Sequence, residues 1–207
     1  KNNFKIVSDK KARMILPNAI TLIGVCIGLT SIKFALDGKF TLAVVAILFA
    51  GLMDALDGRI ARLIKGTSKI GKELDSLGDV ISFGVAPAFI MYFWNLQYLD
   101  KLGWFVCLMY VVCVALRLAR FNVNSEEESS WKDNFFEGVP APAGGIVVLM
   151  PLVLSFSGVG EIFFKINYDI IVPVFFIAVS ILLISTIPTY SFKKIVIPRA
   201  MTKFLLF

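Results

Sequence analysis

Six long apolar blocks dominate the chain, at 16–36, 40–53, 80–94, 102–116, 143–158 and 170–187. A helix needs about 20 mostly apolar residues to cross the hydrocarbon of a bilayer. The shorter blocks reach that length if their helices run on into flanking polar residues. Six such blocks in 207 residues exceed what a soluble core can bury. Composition agrees: 57% of residues are hydrophobic and 17% charged, against about 45–50% and about 25% in an ordinary soluble domain. Unpaired backbone is costly in lipid, so the blocks should be helices. The expected fold class is an all-α integral membrane protein with six transmembrane helices. Residues 1–15 are expected to form an interfacial helix and 16–190 the membrane domain. Residues 191–207 form either a basic tail or the start of a further span. Leu16-Pro17-Asn18 opens span 1, with Pro17 suited to a first helical turn. The first fifteen residues are too basic, and the first apolar block too long, for a cleavable signal peptide.

Charge orients these spans. Of the 21 lysines and arginines, five lie in 1–13, five in 59–72, three in 117–132 and four in 193–203. Only Lys33, Lys39, Lys101 and Lys165 remain for the other side. Positive charge stays in the cytoplasm, so both ends and the 54–79 and 117–140 connections should face inward. The net charge of +6 then reads as topology and contact with anionic headgroups, not nucleic-acid binding. The acidic run Glu126-Glu127-Glu128 reads as a solvated loop. Cys26, Cys107 and Cys113 fall inside predicted spans and read as small buried apolar residues. The chain has no histidine, which removes histidine-based triads and general bases and leaves oxygen ligands for any metal.

One stretch breaks the apolar pattern. Asp54-Ala55-Leu56-Asp57-Gly58-Arg59-Ile60-Ala61-Arg62 is followed by Gly71, Asp75 and Asp79. Asp54 and Asp57 are three apart, Asp75 and Asp79 four apart, so each pair shares a helix face. A short linker makes the two helices antiparallel neighbours whose carboxylates converge. Four such acids near lipid need cations or protons, and a pair of Mg²⁺ or Mn²⁺ ions meets that need. Gly58, Ala61 and Gly71 leave room for a bulky group, and Arg62 offers a planar fork for phosphate. Small residues, acids and an arginine at one helix mouth suit a diphosphate–metal site.

The stretch from Asp54 to Asp79 carries D-x2-D-G-x2-A-R-x8-G-x3-D-x3-D without departure, and so resembles the CDP-alcohol phosphotransferase family. The resemblance implies six transmembrane helices around a cytoplasm-facing polar cavity, in a homodimer, in a prokaryotic cell (inner) membrane. It implies that Asp54, Asp57, Asp75 and Asp79 ligate two divalent cations, with Asp79 also the general base. Gly58, Ala61, Arg62, Ser68 and Gly71 would bind the CDP-lipid, joined by Pro17, Asn18 and Thr21 near the start of span 1. It implies direct attack of an acceptor hydroxyl on the phosphorus nearest the lipid, with CMP leaving.

Two further segments bear on the acceptor. Arg117-Leu118-Ala119-Arg120-Phe121-Asn122 closes span 4, and Phe136-Glu137-Gly138-Val139-Pro140-Ala141-Pro142-Ala143-Gly144 opens span 5. Both resemble segments of bacterial and archaeal phosphatidylserine synthases of this family, implying CDP-diacylglycerol and L-serine as substrates. Arg117 or Arg120 can meet the serine carboxylate, and Asn122 can hydrogen-bond either polar group. The arginines also suit membrane-edge anchors. The alternative is a sister enzyme taking glycerol-3-phosphate, inositol or inositol phosphate; the phosphorylated acceptors ask for a denser basic pocket. A divalent-cation transporter is a non-enzyme alternative, but it needs acids deep in several spans, and spans 1, 4, 5 and 6 have none.

Overall fold

The computed structural model describes residues 10–64, 68–124, 135–137, 140–157, 168–185 and 188–190. Residues 1–9 of the expected interfacial helix, the acidic run at 126–128 and the expected tail at 191–207 lie outside these. Helix α1 spans Lys10–Leu36 and α2 spans Phe40–Leu63. The turn between them is a glycine-terminated helix end. Gly38 sits at φ +72°, where a side chain is unfavourable. Its N–H donates to the Ala35 carbonyl at 3.0 Å, and the Lys39 N–H to the Phe34 carbonyl at 2.8 Å, which satisfies the last carbonyls of α1. The two helices lie close at Gly24 of α1, where a Cβ would come 3.4 Å from Met53 Cβ and 3.8 Å from the Ala50 carbonyl of α2, and α2 buries the small residues Ala43, Ala46 and Ala50. Lipid is as apolar as leucine, so such close backbone contact, not hydrophobicity, holds helices together in a bilayer.

Helix α3 spans Lys69–Asp79, continues through a π-helical turn at Val80–Val85, and becomes α4 at Ala86–Trp94. A 3₁₀ turn at Leu96–Leu99 leads into α5, Asp100–Asn124. Gly103 lies under that turn. A Cβ there would stand 1.9 Å from the Leu96 carbonyl oxygen, so no other residue fits. Helices α6 (Ala141–Val148) and α7 (Met150–Ser157) meet at Leu149, and α8 runs Tyr168–Ile184. A two-stranded antiparallel ribbon pairs β1 (Phe135–Glu137) with β2 (Pro188–Tyr190), tying the approach to α6 to the exit from α8.

Among the described residues, four helical segments are long and apolar enough to cross a membrane: Ile15–Leu36, Phe40–Leu63, Ile70–Trp94 and Leu96–Val123. The last three show how short apolar blocks reach spanning length, because each helix continues into polar sequence. Tyr168–Ile184 is apolar but shorter, and the block at 143–158 is divided by the break at Leu149. The fold is that of a multi-pass helical membrane protein. Its outward faces carry large apolar side chains such as Leu22, Ile23, Leu48, Phe49 and Leu52, each about half exposed, as lipid contact requires. The core between helices holds Ile47, Phe83, Met91, Tyr110, Leu152 and Phe176.

Three expectations change. Pro17 lies inside α1, because the helix starts at Lys10 and not at Leu16. Residues 10–15 therefore belong to the same helix as the span. Cys26 is exposed on the outer face of α1, while Cys107 and Cys113 are buried as expected. The ribbon is an addition that hydropathy did not show, since its strands are three residues long.

Candidate active site

The polar end of the bundle is assembled from the start of α1, the end of α2 and the start of α3. Ser68 begins α3 in extended conformation, and its Oγ accepts the Gly71 N–H at 2.9 Å. This serine cap satisfies a donor that an open helix end leaves unpaired. Gly71 has no room for a side chain: a Cβ would come 2.9 Å from Asn18 Oδ1 and 3.1 Å from Ser68 Oγ. Its role is to let α1 approach the mouth of α3. Around Gly58 nothing lies within 4 Å of a would-be Cβ, so that glycine leaves open space, as a site for a bulky ligand needs.

Three of the four aspartates converge. Carboxylate oxygens of Asp54, Asp57 and Asp75 all lie within 4.8 Å of one another. Asp57 is buried and accepts a 2.5 Å hydrogen bond on Oδ2 from Thr21 Oγ1. The same hydroxyl lies 3.1 Å from the Pro17 carbonyl. Asp79 stands outside the three-acid group but within hydrogen-bonding range of Asp54. The ion pair Lys33–Asp37, at 2.8 Å, lies at the far turn, away from these acids. Converging, partly buried carboxylates form a hard-oxygen donor set suited to a divalent cation.

A cavity of about 200 Å³ opens beside the acids. Its walls include Pro17, Asn18, Thr21, Asp57, Gly58, Ala61, Ser68, Gly71 and Asp75, which brings together nearly every residue expected to bind a nucleotide-linked lipid. Lys72 also lines it. Sequence reasoning missed that residue because it occupies a variable position of the motif, although a basic side chain one turn into a helix facing the cavity was a usable signal. Arg62 does not line the cavity. It is exposed and its Nε donates to the Gly58 carbonyl at 2.9 Å. A smaller recess lies deeper, bounded by Asp54, Asp57, Asp75, Asp79, Gly78 and Ser82 among others.

The three residues at the end of α5 separate. Arg117 is half-buried and close enough to Asp79 for their charges to interact, and its buried Nε has no hydrogen-bond partner. Arg120 is exposed and donates from Nη1 to the Ile184 carbonyl at 3.0 Å, placing positive charge at the C-terminus of α8, where a helix dipole favours it. Asn122 Nδ2 donates to Ser76 Oγ at 2.9 Å, fastening α5 to α3.

Known proteins resemble this chain along most of its length. Residues 14–186 match the family model described as CDP-alcohol phosphatidyltransferase. A CDP-diacylglycerol–serine O-phosphatidyltransferase of Mycobacterium tuberculosis is 39% identical over 188 residues, covering 89% of this chain and 64% of that protein. Its Mycobacterium leprae namesake is 44% identical over 143 residues, 68% of this chain and 47% of that protein. The Helicobacter pylori protein of that name is 34% identical over 181 residues, 87% of this chain and 74% of its own. An archaetidylserine synthase of Methanothermobacter thermautotrophicus is 33% identical over 191 residues, 88% and 73% respectively. The chain thus spans about half to two thirds of the mycobacterial relatives it matches. With a matching family model over nearly the whole bundle, and the motif's acids brought together at one cavity, the chain belongs to the CDP-alcohol phosphatidyltransferase family.

Proposed function

We propose that this protein transfers a phosphatidyl group from CDP-diacylglycerol to L-serine, giving phosphatidylserine and CMP. The observation that carries the reading is the convergence of Asp54, Asp57 and Asp75 within 4.8 Å beside a cavity walled by the motif's small residues. The names of the relatives support serine as acceptor and a CDP-linked lipid as donor.

Two divalent cations, Mg²⁺ or Mn²⁺, held by these aspartates would supply charge neutralisation at the diphosphate. The chain's own residues do the rest. Gly58 and Ala61 leave space for the nucleotide, and the α3 N-terminus with Lys72 favours its negative charge. Arg62 stands at the rim. Asp79 accepts the serine hydroxyl proton as that oxygen bonds to the phosphorus nearest the lipid. The phosphoanhydride bond breaks and CMP departs. Arg117 receives the serine carboxylate, because its Nε lacks a partner and its charge lies near Asp79. Arg120 and Asn122, both already bonded to protein atoms, hold α8 and α3 around that residue. Six spans, a homodimer, both chain ends in the cytoplasm and an active site facing it complete the proposal. The excess of basic residues at the motif end of the bundle supports that orientation.

The test is CMP release by purified protein in detergent with CDP-diacylglycerol and Mn²⁺ or Mg²⁺. Serine-dependent release that vanishes in Asp79→Asn is expected. Release instead with glycerol-3-phosphate, inositol or inositol phosphate would keep the family chemistry and discard the acceptor assignment. No release with any acceptor, in folded protein that binds Mn²⁺, would sink the reading and return a cation-transport function to consideration.

A further inference from the structure

Asp79 is the last residue of α3, and the next six residues, Val80–Val85, form the π-helical turn. Such turns carry about one extra residue and often occur at functional sites. The cause here is local. Pro87 has no N–H and cannot bond the Phe83 carbonyl four residues earlier, and its ring crowds that carbonyl. The Ala86 N–H reaches five residues back, to the Ile81 carbonyl. The Phe83 carbonyl lies in this turn and is buried, and Tyr110 of α5 donates to it from Oη at 2.8 Å.

Tyr110 is fully buried and its ring packs on Phe176 with centroids 4.9 Å apart. It lies outside both cavities. Two glycines press on the same turn. A Cβ on Gly145 of α6 would come 2.9–3.0 Å from Phe83, backbone included, and one on Gly28 of α1 would come 2.7 Å from Ser82 Oγ. The turn is thus held from three sides, by one hydrogen bond and two close approaches. An extra residue rotates everything before it by about 100° relative to a regular helix. That rotation sets where Asp79 points while α4 keeps Ile90 and Met91 in the core.

We infer that Tyr110 is a positioning residue: its hydroxyl, by bonding the Phe83 carbonyl within the wide turn, holds the turn that aims Asp79 at the acceptor. This rests on the reading of Asp79 as the base. Asp79 adjoins the turn, while Asp75 lies one helical turn further back on α3 and against Asp54 and Asp57 of α2, so losing the hydroxyl displaces Asp79 most and the three-acid cluster less.

Tyr110→Phe keeps the ring and removes the hydroxyl. Three quantities are measured beside wild type and Asp79→Asn: steady-state kinetics, Mn²⁺ binding, and hydrogen exchange of the 80–88 segment in detergent. The expected result is faster exchange at 80–88 and a kcat lower by on the order of 10- to 100-fold, the scale of a misplacement of about 1 Å. Mn²⁺ affinity and KM for CDP-diacylglycerol change by much less than kcat, and Tm falls modestly for the lost buried hydrogen bond. Unchanged exchange, or a kcat within about twofold of wild type beside an inactive Asp79→Asn, overturns the inference alone. A kcat loss that comes with equal losses of Mn²⁺ and donor affinity means general unfolding of the site and also overturns it. Full activity in Asp79→Asn removes the base assignment, and this inference with it. If Tyr110→Phe is not recovered folded, Gly145→Ala, which pushes on the Phe83 backbone from α6, carries the same expected and opposing results.

Discussion

At the scale of single residues, Thr21 and Gly58 make opposite predictions. Thr21 orients a buried acid through a short hydrogen bond. Partners of this kind hold metal ligands in place, and losing one typically weakens metal binding by about 10- to 100-fold. Thr21→Val is therefore expected to raise the half-saturating Mn²⁺ concentration by roughly that factor, with Thr21→Ser restoring it. A Val variant that binds Mn²⁺ as wild type does would show that this hydrogen bond does not hold Asp57 for the metal. Gly58 instead faces open space inside a helix. Leucine there favours the helix by about 1 kcal/mol, so Gly58→Leu should fold at least as well as wild type. It should still raise KM for CDP-diacylglycerol severalfold, because the side chain fills the donor's place. Unchanged KM would move the donor elsewhere in the cavity. Stripping divalent cations with a chelator should abolish CMP release, and Mg²⁺ or Mn²⁺ should restore it. Activity that survives exhaustive chelation would remove the metal role of the three acids.

At the scale of elements, the tight places are turns and crossings. The 3₁₀ turn at Leu96–Leu99 is folded onto Gly103 so closely that Gly103→Ala puts a methyl into a backbone carbonyl. Backbone on both sides cannot step aside as a flexible side chain does. The substitution should cost about 3 kcal/mol, the upper end of overpacking effects, and chemical unfolding in detergent would register it. Arg120 and Asn122 illustrate another element-scale point. Their sequence context pointed to acceptor binding, yet each has a partner on a neighbouring helix. Only Arg117 of the trio has an unpartnered donor, Nε, in a buried setting. Periodicity assigns a side chain to a face of its own helix. Which neighbour lies opposite depends on packing, and nothing within α5 encodes it.

At the scale of the whole molecule, orientation is the property with the most consequences. Basic residues crowd the motif end, and the Asp37–Lys39 turn lies at the other. Arg62 and Asp37 are both exposed. With Cys26 replaced by serine, Arg62→Cys should react with an impermeant thiol reagent only from the cytoplasmic side, and Asp37→Cys only from outside. The reverse labelling pattern would invert the proposed topology and place the acids on the wrong side for a nucleotide-linked donor.

The sequence by itself determined the membrane class, because only helices satisfy the backbone of such apolar blocks in lipid. It determined which acids share a helix face at the polar end as well. Fixed spacings put Asp54 with Asp57 and Asp75 with Asp79 on common helix faces, and a 3.6-residue period needs no tertiary information. Tertiary structure decided how these faces meet. It drew Asp75 into contact with α2 and left Asp79 beside the cluster. It spent Gly71 on the approach of Asn18 and turned Arg62 back on its own helix. It left Arg117 Nε buried without a hydrogen-bond partner and gave the Phe83 carbonyl a donor from another helix. Each outcome depends on contacts between residues far apart in the chain, and these arise only when separate helices are brought within a few ångströms of one another.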